Sequence, residues 1–81
     1  DLSMNDEFQS IEELYQRVRP ALQTKVHKLN NSGISFVGED DIWSLLMEKW
    51  KNGKDLTLFD IVDDIFKLDE TVILDKYKKQ Q

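Results

Sequence analysis

The sequence predicts an all-α fold, a small bundle of three to four helices whose first helix is bent at a proline. Two observations carry that prediction. Apolar residues recur at helical spacing: Ile11, Leu14, Tyr15, Val18, Ala21, Leu22, Val26 and Leu29 fall within a sector of roughly 140° when each residue turns by about 100°. Helix start and stop signals also bracket the apolar runs, and the three glycines stand singly at the turns between them.

Ser10 with Glu13 three residues later has the form of a capping box. It opens a first helix over about 11–30. The apolar stripe keeps its phase through Pro20, which argues for one bent helix, with the proline on its solvent face and the freed carbonyl of Gln16 open to water. The rival reading starts a new helix with Pro20 in its first turn. Asn30-Asn31-Ser32-Gly33 is a stop, with Gly33 or an Asn suited to a left-handed cap.

Ile34 to Val37 reads as a short extended link that plugs Phe36, and with it Ile34, into the core. Glu39, Asp40 and Asp41 crowd the first turn of a second helix, about 40–52, where the helix dipole favours negative charge. Asn52-Gly53 marks its end. Thr57 caps a third helix, with Asp60 three residues on. Leu58, Ile61, Val62, Ile65, Phe66 and Leu68 form its expected buried side. Residues 69–79 admit either a strand or a helix. The four-residue step from Ile73 to Tyr77, Asp69 as a cap and the late lysines favour a short fourth helix. The expected organisation is a flexible acidic arm, residues 1–9, followed by a single helical domain, residues 10–81.

At 81 residues one domain is expected. There is no cysteine and one histidine, His27, so disulfides, thiolate metal sites and clusters of imidazoles are excluded, and no cofactor is expected. The lack of cysteine fits a reducing compartment, no apolar run approaches a membrane span, and a cytoplasmic location is expected. The net charge of −5 opposes tight, non-specific binding to nucleic acid.

No catalytic arrangement is visible, and enzyme is the weakest class. Asp60, Asp63 and Asp64 share one face of the third helix, yet a solvated face is the preferred reading, with Lys67 placed to pair with Asp63. Glu39-Asp40-Asp41 lacks the alternating ligands of a calcium loop. His27 reads as a surface residue.

Two surfaces are the candidate sites. Arg17, Ala21, Lys25 and Lys28 line one flank of the first helix, with Arg19 on the other flank. Residues 17–28 hold four cations and no carboxylate, in a chain that is acidic overall. That ridge suits a phosphate backbone or an acidic protein; internal pairing with Glu13 and the acidic third helix would instead consume it. The second helix is apolar around roughly 200° of its wheel, beyond an ordinary stripe. It is either the central helix or partly a partner-facing one. Trp43 and Trp50 are candidate anchors that could equally be core, and Lys51 beside Trp50 adds charge at that end.

Tyr15-x-x-Val18-x-Pro20-Ala21-Leu22-x-x-Lys25, then Gly33, then Val37-x-Glu39-Asp40-x-Ile42-Trp43 and Leu46-x-x-Lys49-Trp50-Lys51, followed by Leu58-x-x-Ile61-Val62-x-Asp64-Ile65, resembles the post-transcriptional regulator family of Gram-positive bacteria, the ComN type. Ser32-Gly33-Ile34 departs from it, with an aliphatic residue where an aromatic is expected. The resemblance implies a small regulator of gene expression acting after transcription, through mRNA or a protein partner, and supplies no catalytic residues. The expected binding set is therefore Arg17, Arg19, Lys25, Lys28, Trp43, Trp50 and Lys51, for RNA or a protein partner. A protein adaptor that never touches RNA is the alternative. A helix-turn-helix binder of DNA is disfavoured, because its third helix would present Asp60, Asp63 and Asp64 to the groove.

Overall fold

The computed structural model describes residues 10–51, 53 and 56–79. The arm expected at residues 1–9 and Asn52 of the expected Asn-Gly stop lie outside them. Four helices and no strand occur among the described residues: α1 (Ile11–Asn31), α2 (Glu39–Trp50), α3 (Leu58–Lys67) and α4 (Glu70–Lys79). The small all-helical bundle expected from the apolar periodicity is the observed fold.

The start of α1 is fixed by Ser10, whose hydroxyl accepts the Glu13 N–H at 3.0 Å. The helix continues through Pro20 without interruption, so the reading with a second helix beginning there is set aside. Bending at that point stays an expectation from the proline's covalent geometry. One turn later the Thr24 hydroxyl donates to the Pro20 carbonyl at 3.0 Å. At the other end Gly33 takes φ +94°, the left-handed region that a side chain would strain. The reversal lets Ile34 N–H reach the Leu29 carbonyl at 2.9 Å and Gly33 N–H reach that of Asn30 at 3.0 Å. It also delivers Ile34 into the core, the apolar contact that accompanies such caps.

The link that follows corrects one expectation. Ile34 and Val37 are buried, whereas Phe36 is 55% exposed. The chain bends at Phe36, which brings residues 34 and 37 to the same side and turns the phenyl ring outward. There it lies edge-on to Tyr77, with ring centroids 5.0 Å apart.

Helix α2 meets each of the other three helices. Ile42, Leu46 and Trp50 are buried along its length. Trp43 meets α1 through Tyr15, ring to ring at 4.9 Å, and also faces Trp50 at 5.8 Å. Lys49 and Trp50 reach α3 at Asp64. Glu48 accepts from Lys76 of α4 at 3.2 Å. Neighbours on three sides explain why its apolar sector is so wide. Beyond its end, Gly53 N–H donates to the Trp50 carbonyl at 3.0 Å, and a Cβ at residue 53 would stand 2.9 Å from the Leu56 side chain.

The N-terminus of α3 carries the full capping box. Thr57 Oγ1 accepts Asp60 N–H at 3.1 Å, and the Asp60 carboxylate accepts Thr57 N–H at 3.0 Å. Ile61 and Ile65 are fully buried, and Leu58, Val62 and Leu68 partly so. Phe66, expected on that buried side, is 40% exposed because it stands at the edge of the stripe. The ambiguous last segment is helical. The Asp69 carboxylate accepts the Thr71 N–H at 2.8 Å, and Ile73 inserts into the core.

Candidate functional site

The seven side chains expected to bind do not form one surface. Two are withdrawn from it by burial. Trp50 has no exposed area, and its indole Nε1 donates to Asp64 at 3.0 Å. Lys25 is only 8% exposed. Its position on the wheel, three residues after Leu22 and four before Leu29, lies inside the apolar stripe. The alkyl stem therefore packs inward while the ammonium escapes at the rim. There Nζ donates to the Phe66 carbonyl at 3.1 Å, an acceptor left open in the last turn of α3. Burial, then the neighbouring Lys28, push the Lys25 pKa down.

Arg19 serves the opposite flank of α1. Its Nε donates to Glu39 at 3.0 Å, and Tyr15, one turn earlier, donates its hydroxyl to Asp40 at 3.2 Å. Burial first, then that bond, raise the Tyr15 pKa. The third carboxylate of the α2 start, Asp41, accepts the Gly38 N–H at 2.7 Å and the Tyr77 hydroxyl. All three acids at this helix start thus tie α2 to its neighbours or cap it. Trp43 is half-buried in the aromatic cluster, and Lys51 is exposed just past α2.

Arg17 and Lys28 lie on one flank of α1, both exposed, with half-buried Ala21 between them. Lys28 Nζ lies 5.4 Å from the centre of the Phe66 ring, within range of a cation–π contact. Two lysines of α1 therefore hold the same residue, Lys25 at its carbonyl and Lys28 at its ring. Seven residues before Phe66, on the same side of α3, Phe59 is 76% exposed. Val62, half-buried, stands between them. Sequence reasoning missed this pair. Periodicity places Phe66 with the core and gives Phe59 no role. The available signal was two phenylalanines seven apart at the edge of the apolar sector, next to the cationic flank of α1.

The aspartates of α3 are divided among separate tasks. Asp60 caps the helix, Asp63 pairs with Lys67 at 2.8 Å, and Asp64 receives Trp50 and Lys49, the latter at 3.1 Å. No group of three or more His, Asp or Glu side chains is arranged to hold a metal among the described residues. A cleft of about 140 Å³ lies between α2 and α4, floored by Ile42, Leu45 and Ile73 and rimmed by Asp41, Lys76 and Tyr77. That is room for one side chain, well below a typical ligand pocket. No described helix is long and apolar enough to cross a membrane.

The fold is that of a small all-helical bundle. The profile of the post-transcriptional regulator family matches residues 11–78, most of the chain, and the protein belongs to that family. No curated protein and no solved structure matches it.

Proposed function

We propose that the chain is a non-enzymatic binding module that controls gene expression after transcription by engaging an RNA-associated protein through the α1–α3 face. The observation that carries this reading is the juxtaposition of exposed Phe66 with Lys28, extended along α3 by Phe59 and along α1 by Arg17. Aromatic side chains, phenylalanine among them, and arginine are enriched in protein interfaces relative to the rest of the surface. Membership of the family supports a regulatory role at this level of expression.

Direct RNA contact is the second reading, supported by the same cations and rings. It is weakened by the redistribution of charge. Lys25 is turned inward to a carbonyl and Arg19 is paired with Glu39, which leaves few cations for phosphates on a body of net charge −5.

The test is made in cells. The chromosomal copy is replaced by one carrying Phe59→Ser and Phe66→Ser, and protein output is compared with transcript abundance across the genome. The expected result is altered output at unchanged transcript level, matching deletion of the gene. Wild-type output from the double variant removes this face from the regulatory role.

A further inference from the structure

We infer that the face made by Phe59, Val62 and Phe66 of α3 with the Arg17–Ala21–Lys28 flank of α1 docks an amphipathic helix of a partner protein, its apolar seam on the phenylalanines and an acidic edge along α1. This rests on the reading above and names the kind of element the partner presents.

The spacing points to a helix. Phe59 and Phe66 are two turns apart, roughly 10 Å along one side of α3 at about 1.5 Å per residue. Val62 fills the interval. A second helix offers apolar side chains at the same repeat, and its side chains interdigitate with such a row. On α1, Arg17 and Lys28 are three turns apart, roughly 16 Å by the same rise. The last turns of α1 and α3 meet where Lys25 and Lys28 hold Phe66. Helix α1 packs directly against α3, and the printed side-chain contacts between them gather at Phe66. Ala21, the small residue between the two cations, allows a close approach.

The charge layout selects the partner's edge. Lys28 borders the row on the α1 side at Phe66, whereas Asp63, paired with Lys67, borders it on the other side within α3. A polyanion laid on the rings would bring phosphates against Asp63 on one side while meeting Lys28 on the other. A helix with acids along a single edge meets the cation alone and leaves the aspartate in water or beside its own basic residues. Lys28 is already seated over the Phe66 ring, so a carboxylate arriving beside that ring gains an ion pair with a pre-placed ammonium.

The experiment titrates the intact chain against fluorescent probes. One probe is a synthetic helix of about eighteen residues, long enough to hold helical structure, with a leucine seam and glutamates along one edge. A second has lysines at that edge. The third is a uridine oligomer of about twelve nucleotides, the site size of a single-strand binder. The acidic-edged helix should bind, with the lysine-edged helix at least about tenfold weaker. Phe66→Ser and Lys28→Glu should each weaken the acidic helix about tenfold or more, and Lys78→Glu, at an exposed site on α4, should leave it unchanged. Phe59→Ser serves as a second variant at a residue too exposed to be needed for folding. No binding of the acidic helix overturns the inference, as does binding indifferent to Phe59, Phe66 and Lys28. Preferential capture of the uridine oligomer also overturns it, while the regulatory role of the face stands. Conversely, helix binding that is lost in the variants while cellular output stays wild-type sinks the regulatory role and leaves the docking face intact.

Discussion

The indole of Trp50 and the carboxylate of Asp64 are joined by a 3.0 Å hydrogen bond that locks α2 to α3, with Lys49 closing on the same carboxylate at 3.1 Å. The ring is fully buried, so its N–H has no recourse to water. Replacing Asp64 with Ala strands that donor and should cost about 1–3 kcal/mol. Trp50→Ala should cost about 3–5 kcal/mol, since it also opens a cavity between two helices. Urea unfolding followed by far-ultraviolet circular dichroism reads both. Equal stability of Asp64→Ala and the parent would show that the bond contributes nothing.

Lys25 should behave as a buried cap rather than as a surface cation. Lys25→Met keeps the apolar stem and loses only the bond to the Phe66 carbonyl, an expected cost of about 1–2 kcal/mol. Lys25→Ala should cost more, because it also removes packing beneath α3. A surface lysine would show neither loss. The midpoint of thermal unfolding, measured for both variants, separates the cases.

The acid limb of stability should report the caps. Asp60 and Asp69 are both held below their ordinary carboxyl pKa of 3.8, in each case first by a backbone N–H and then by a threonine hydroxyl. For a carboxyl with a depressed folded-state pKa, the stabilisation is complete above its unfolded value. It is lost as pH falls below 3.8 through the folded-state value. Stability should therefore decline on acidification in that window. The double variant Asp60→Asn, Asp69→Asn should show a shallower decline across it, measured by urea midpoints at stepped pH.

Pro20→Ala should raise stability. The helix runs on through an exposed proline that withholds one backbone donor from its interior. Alanine restores that bond and the better helical propensity, partly offset by a freer unfolded chain, for a net gain of about 1–2 kcal/mol. An unchanged or lower unfolding midpoint would mean that neighbouring packing depends on the ring itself.

Much of the fold was legible because its signals are local. Ser10 and Thr57 read as caps from the acidic residues three positions on, Asp69 from its place before the last apolar run, and Gly33 or a neighbouring Asn as the left-handed stop. The stripe of α1 came from periodicity alone. The errors arose where a third dimension decides. Phe36 and Val37 compete for the core within one short link, and the bend at Phe36 gives the place to the smaller residue. Lys25 reads as a surface charge by its type, although its position lies within the stripe. Trp50 and Asp64 belong to different helices, so nothing in the spacing of either announces their bond. The candidate site suffered most, since Phe59 and Phe66 acquire meaning only when Lys28 of another helix arrives beside them.

The seat of α4 has a dynamic consequence. Ile73 is its one fully enclosed aliphatic side chain among the described residues, aided by Tyr77 against Asp41 and Phe36 and by Lys76 against Glu48. Helices α1, α2 and α3 each place at least two fully enclosed apolar side chains in the shared interior. The terminal helix should consequently detach before the others separate, a partial opening. Deuterium would then enter the amides of residues 73–79 while those of α1 near Leu22 still keep their protons.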